Sequence, residues 1–246
     1  MSLPGRMAFA AKKLFKKRED LKVLKAEFEQ FSKNADGRFE LNWDEAMPYL
    51  DDRTTHTGFD AHYIYHPAWA ARVVRQINPA VHIDISSTLH FCTQLSAFIP
   101  VRFYDYRPAL LDLDNLQSEK ADLTNLFFES NSIESLSCMH TVEHIGLGRY
   151  GDPIEPGGDL KAMNELKRVV KPGGSLLFVV PVGKARIIFN AHRIYSASAI
   201  VSAFDGLELE NFSLVTDDAR FLRNADPKDA DSQKYGCGCF WFKKNP

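Results

Sequence analysis

The chain predicts a doubly wound α/β protein with a seven-stranded sheet, preceded by a helical extension. Three observations carry this expectation. Short apolar runs alternate with helical segments from residue 59 onward. Residues 175–180 (S-L-L-F-V-V) form an almost unbroken apolar run, as expected of a strand covered on both faces. Between the two stands Pro172-Gly173-Gly174, a helix stop followed by a strand start. A strand–helix–strand order of this kind implies parallel strands, and ligands then sit beyond the strands' carboxyl ends. That rule puts Asp122, His140, Glu143 and His144 on one rim.

In chain order, residues 7–31 are predicted helical. Leu14, Leu21, Leu24, Phe28 and Phe31 form one stripe, and Lys12, Lys13, Lys16, Lys17 and Arg18 line the other side. The stripe is expected to dock on the protein rather than on a membrane. Asn34-Ala35-Asp36-Gly37 closes the segment. The expected division is a helical extension over residues 1–55 and an α/β domain over 56–246. Residues 67–77 read as a helix with Pro67 in its first turn, closed by Asn78-Pro79. Six of the expected strands are placed at 81–85, 101–106, 133–139, 175–180, 207–215 and 237–243, and helices at 91–98, 160–170 and 196–204.

Composition narrows the function classes. The chain has 246 residues, 45% apolar and 25% charged, with a net charge of −2, which argues against nucleic acid or an anionic membrane as main partner. No apolar run approaches the roughly 18 residues of a membrane span. Lys12 and Lys13 interrupt any signal-like apolar segment, so a cytoplasmic location is expected. Cys92, Cys138, Cys237 and Cys239 do not make a disulfide scaffold in a chain this long. Cys237 and Cys239 share one strand face and read as small core fillers. A zinc site of the usual kind would want a second cysteine pair, so no metal is expected.

Two motifs invite misreading. Gly146-Leu147-Gly148-Arg149-Tyr150-Gly151 matches G-x-G-x-x-G but lacks a strand before it and a helix after it, so it reads as a glycine-rich lid loop. His140-Thr141-Val142-Glu143-His144 matches H-x-x-E-H, but His140 ends a strand rather than lying on a helix, so the two rings are expected to diverge.

The order of segments resembles the class I S-adenosylmethionine-dependent methyltransferases over residues 59–243. The specific pieces are A-D-L … F-F-E-S-N-S-I-E-S-L-S-C-M-H-T-V-E-H-I and K-R-V-V-K-P-G-G-S-L-L-F-V-V-P. Closer still, H-I-D-I-S-S, G-L-G-R-Y-G-D-P and I-F-N-A-H-R-I-Y resemble an uncharacterised, mostly bacterial branch of that superfamily. The resemblance implies a Rossmann-like sheet, S-adenosylmethionine as cofactor and a small-molecule acceptor, with a loose family link to glycan or cell-surface metabolism. It places Asp84, Ser86 and Ser87 in the cofactor loop and Asp105 on the ribose. Asp122 and Leu123 fall at the adenine, and His140 beside the cofactor. The superfamily's usual D-x-G-x-G-x-G loop reads Asp84-Ile85-Ser86-Ser87-Thr88-Leu89-His90 here, without a glycine. A non-catalytic binding protein on the same fold is therefore the alternative.

Methyl transfer to a hydroxyl needs positioning and a base. His144, His192 and Glu143 are the candidate catalytic groups. His62, Tyr63, Arg149, Asp152, Asn190 and Arg193 are the candidates for holding a polar acceptor.

Overall fold

The structure is a computed structural model that describes residues 3–246, with side chains from residue 18 onward. It divides into two compact units, Met1–Phe59 and Asp60–Pro246. The first unit holds α1 (Leu3–Lys33) and a 3₁₀ turn at Trp43–Glu45. Phe28 meets the Trp43 ring edge-on at 5.2 Å. The Arg53 guanidinium forks onto Glu27, and this hydrogen bond holds the Glu27 carboxyl below its usual range. Along the expected stripe Leu24 and Phe28 are half-buried, whereas Leu21 and Phe31 are exposed. Leu14, Lys12, Lys13, Lys16 and Lys17 lie outside the described side chains.

The second unit is the expected α/β layer structure. Its main sheet contains β1 (His82–Ile85), β2 (Val101–Asp105), β3 (Leu116–Lys120), β4 (Ile133–Met139) and β5 (Val170–Val182), followed by β8 (Leu207–Val215), β9 (Phe221–Leu222) and β10 (Gly236–Lys244). The strand order is β3-β2-β1-β4-β5-β10-β8-β9. The first five strands run parallel, and β10, β8 and β9 are antiparallel to their neighbours. β6 (Arg186–Ile188) and β7 (His192–Ile194) form a separate hairpin.

Both faces of the sheet are covered. α2 (Ala61–Ile77) and α3 (Leu89–Leu95) cover one, with Trp69, Val73, Phe91 and Leu95 packed on Leu177, Val179, Cys237, Cys239 and Trp241. α4 (Gly158–Val169) and α5 (Ala197–Ala203) cover the other, with Leu166 and Phe204 against Leu176, Phe178, Phe240 and Phe242. Successive residues of β5 thus feed opposite layers, which is why its sequence is apolar throughout.

Several expectations need correction. The sheet has eight strands rather than seven. α2 begins at Ala61, six residues before the expected start, because Asp60 caps it by accepting from the Tyr63 N–H at 3.2 Å. Pro67 therefore lies inside the helix, and the helix carries His62, Tyr63 and His66 over the rim. Pro172-Gly173-Gly174 is a bulge within β5 rather than a gap before it. Gly173 sits at φ +75°, and a β-carbon on Gly174 would stand 2.8 Å from the Lys171 carbonyl oxygen. No described helix is long and apolar enough to cross a membrane.

Candidate active site

The floor of the site is a buried polar chain joining β1 to β4. Ser135 and Ser137 lie 2.8 Å from Nδ1 and Nε2 of His82, and Ser137 donates to the Asp84 carboxylate. With its one proton given to Asp84, Ser137 accepts from His82 Nε2–H, and Ser135 donates to Nδ1. The other Asp84 oxygen accepts from the Ser87 N–H at 2.9 Å. Burial pushes Asp84 up to about 6 against these hydrogen bonds, and burial pushes His82 down to about 3.

Two further bonds tie the loop after β1 to the loop after β4. Ser87 Oγ accepts from the Met139 N–H at 3.0 Å, and Thr141 Oγ1 donates to the Ser86 carbonyl at 2.8 Å. Ser86 takes the left-handed conformation, φ +58°, that glycine would supply more easily. The glycine-free loop thus keeps a left-handed bend, held in place by its neighbours. Asp84 and Ser87 are buried anchors of that loop.

Above this floor lies a cleft of about 320 Å³ between the β1, β2 and β4 ends. Ser86, Asp105, Asp122, Leu123, His140 and Thr141 all line it. Asp105 Oδ1 accepts from the Arg107 N–H at 2.7 Å, and Asp122 Oδ1 accepts from both the N–H and the hydroxyl of Thr124. Each acid uses Oδ1 on its own turn, and each lines the cleft. The turn-residue and ligand-residue readings of these two acids are therefore compatible.

A second, more polar chamber of about 570 Å³ adjoins the first and shares His140, His144 and Tyr150 with it. Tyr63, Glu143, Arg149, Asn190, His192 and Tyr235 complete its wall. The β6–β7 turn supplies one side, with Asn190 at φ +59°. Its Ala191 carbonyl accepts from His144 Nδ1–H at 2.6 Å and from Arg149 at 3.0 Å. Asn190 donates to the Leu147 carbonyl at 3.3 Å. The His144 and His192 rings lie 6.4 Å apart, close enough to serve one ligand. Burial lowers the pKa of both.

Glu143 is 1% exposed and sits at the centre. Its Oε1 is 2.8 Å from His140 Nδ1 and 3.7 Å from His144 Nε2. The expectation that the two rings diverge is therefore overturned. His140 leaves β4 at φ +55°, and the 3₁₀ turn Val142–His144 brings the second ring back. Among the described residues, the buried side-chain polar atoms without a partner are His66 Nε2, His140 Nε2, Glu143 Oε2 and His192 Nε2. All four belong to this rim. Orphaned buried polar atoms are costly, and their concentration at one place points to a ligand.

The remaining expected residues divide. His62 stacks on His140 at 5.5 Å and on Tyr235 at 5.1 Å, at the edge of the chamber. Asp152 lines the cleft, but its carboxylate is engaged by the backbone N–H groups of Gly146, Gly148 and Tyr150, so it holds the glycine-rich loop together. Arg193 is buried on Asp159 and donates to the carbonyls of Glu143, Ile145 and Pro156. In this arrangement it is a strut beneath the loop. Sequence reasoning missed His66, Tyr150 and Tyr235. His66 had a usable signal, His62-x-x-x-His66 on one helix face; the tyrosines had none. In the same loop, Gly146 has φ +77°, and a β-carbon there would meet the Glu155 carbonyl oxygen at 2.0 Å. Gly146→Ala is expected to cost at least about 1–2 kcal/mol from the backbone alone. An unchanged denaturation midpoint would refute this.

Residues 116–236, just under half the chain, match the family described as Caenorhabditis protein of unknown function, DUF268. The match supports no restriction to bacteria. No curated protein matches this chain. Among solved structures, a putative sarcosine dimethylglycine methyltransferase from Galdieria sulphuraria is 14% identical, with TM-score 0.52 over 73% of this chain and 85% of that one. A putative methyltransferase from Bacillus halodurans is also 14% identical, with TM-score 0.49 over 72% and 99%. A Haemonchus contortus phosphoethanolamine N-methyltransferase 2, in complex with phosphomonomethylethanolamine and S-adenosylhomocysteine, is 14% identical, with TM-score 0.48 over 79% and 60%. The Galdieria likeness shows the fold: this chain has the Rossmann-like sheet of that methyltransferase.

Proposed function

We propose that this chain is an S-adenosylmethionine-dependent methyltransferase acting on oxygen of a small polar, hydroxylated acceptor, in keeping with a glycan-related molecule. The observation that carries the reading is the pair of adjoining chambers with His140, His144 and Tyr150 in their common wall. Both volumes fall in the range of small-molecule sites, roughly 300–1,000 Å³. The first chamber fits the cofactor: Asp105 suits ribose hydroxyls, Asp122 suits an exocyclic amine, and Leu123 offers an apolar flank. Ser86 lies where the cofactor's amino-acid end would pass.

When bound, the cofactor supplies an electrophilic methyl group. The chain's own work is to orient the acceptor and take its proton. His144 is suited to the second task, since its Nδ1–H is fixed on Ala191 and leaves Nε2 as the basic nitrogen. Glu143 stands 3.7 Å away to stabilise the imidazolium that forms. Arg149 and Asn190 position the acceptor, with Tyr63 on the α2 side and His62 behind it, stacked on His140 and Tyr235. The domain division is proposed as the helical extension followed by this methyltransferase-like unit.

Calorimetric titration with S-adenosylhomocysteine, after unfolding and refolding to strip bound ligand, tests the reading. Asp105→Ala is expected to weaken binding by about 1.5–3 kcal/mol, the scale of a hydrogen bond to a charged group. Unchanged affinity in that variant would remove Asp105 from the site. No binding by the wild type at millimolar ligand would favour a non-catalytic role.

A further inference from the structure

We infer that His62, His140 and Cys237 form a binding site for one divalent transition-metal ion, with zinc the best fit. One ring nitrogen from each histidine and the Cys237 sulfur lie within 4.8 Å of one another. These residues come from three separate elements: the first turn of α2, the residue after β4 and the second residue of β10. Tetrahedral zinc takes nitrogen at about 2.0–2.1 Å and thiolate at about 2.3 Å, which sets neighbouring donors somewhat under 4 Å apart. A small contraction of the trio closes such a shell.

The second coordination layer is already built. His140 gives its Nδ1–H to Glu143 at 2.8 Å, so its Nε2 carries the lone pair, and that atom is buried without a partner. A ligating imidazole held through its other nitrogen by a carboxylate is the usual arrangement around protein-bound zinc. His140 is 8% exposed, so the orphaned nitrogen is not simply solvated. His66 repeats the pattern one helical turn beyond His62. Its Nδ1–H bonds the His62 carbonyl at 2.6 Å, its Nε2 is buried and unpartnered, and its ring centre is 5.0 Å from that of His140. His66 stands outside the donor trio, and water fills the fourth position.

The donor types favour zinc over harder ions, because two imidazoles and a thiolate suit a borderline-soft cation and exclude calcium or magnesium. Cys237 ligates as the thiolate, so binding replaces its S–H bond by an S–metal bond and releases one proton to solvent. The H-x-x-E-H motif contributes only its first histidine as a ligand, with its glutamate behind it.

The test uses the full chain, free of any histidine tag, stripped with a chelator and titrated with cobalt(II) and then zinc. One ion per chain is expected, with a thiolate-to-cobalt charge-transfer band in the near ultraviolet that zinc abolishes. Cys237→Ser should lose that band while retaining the far-ultraviolet circular dichroism of the stripped wild type. His62→Gln, at a half-exposed position, should keep the band's origin but weaken zinc binding by at least about tenfold. Substoichiometric binding by the folded wild type overturns the site, as does a charge-transfer band that survives Cys237→Ser. Should Cys237→Ser not fold, wild-type stoichiometry with His62→Gln decides the matter: unaltered zinc affinity in that variant overturns the assignment. None of these readouts involves methyl transfer.

Discussion

His144→Ala is expected to reduce turnover by about 10²–10⁴-fold, the usual contribution of a positioned base. Cofactor affinity should change little, because the cleft keeps Asp105, Asp122 and Leu123. The mechanism also fixes the sign of the pH dependence. His144 must be neutral to accept a proton, and burial lowers its pKa, with the Glu143 charge opposing. Turnover per bound acceptor should therefore fall only as pH drops through a value below 6.5, and the alanine variant should lose that limb. His192→Ala is the companion experiment, since its ring lies 6.4 Å away with an unpartnered Nε2. A His144→Ala enzyme with wild-type turnover and an unaltered pH limb would move the base to His192 or end the reading.

The second large effect concerns stability. In the unfolded chain His82 titrates near 6.5 and Asp84 near 3.8; in the folded chain they titrate near 3 and 6. Between about pH 4 and 6 the unfolded pair holds its proton on His82 and the folded pair holds it on Asp84. The two states bind equal numbers of protons, so this pair contributes no slope to stability in that window. Single replacements should uncover two opposite slopes. With Asp84→Asn, only His82 remains: the unfolded state binds the extra proton, and stability rises with pH. With His82→Gln, only Asp84 remains: the folded state binds the extra proton, and stability falls as pH rises. Each slope is about 1.4 kcal/mol per pH unit, or roughly 3 kcal/mol across the window. Denaturant unfolding at pH steps between 4 and 6 checks it, and two variants that run parallel to the wild type would contradict the exchange of the proton.

The main strands were legible because they are buried on both sides, and residues 133–139 and 207–215 were bounded as the structure has them. β3 was not legible. It is an edge strand, L-Q-S-E-K, whose Leu116 alone is buried, so it has no apolar pattern to read. The β6–β7 hairpin escaped for a related reason, since Arg186, Ile187 and Ile188 are all exposed. The start of α2 was present in the sequence as Asp60, but Pro67 gave the more obvious signal. At the site, Asp105 and Asp122 were readable because an acid at a strand end combines topology with chemistry. The convergence of His62, His140, Tyr235 and Cys237 was not. It depends on helix α2 reaching back over the carboxyl ends of β4 and β5, which no local spacing encodes. The burial of Arg193 was not legible, because a charged side chain beside a histidine reads as solvent-facing, whereas its carbonyl partners come from residues 143–156.

Ser86, His140 and Asn190 each leave a sheet or hairpin through left-handed backbone, where residues with side chains are held at a cost of about 1–3 kcal/mol. The rim is thus where stabilising substitutions are easiest to find. Glycine at Ser86 or Asn190 would relax the backbone and is a natural choice for anyone hardening the protein against heat. The same change would free the loops to wander, and the side chains they aim would lose their fixed bearings. A screen for thermal resistance alone would therefore drift toward a tougher molecule with a blunter site.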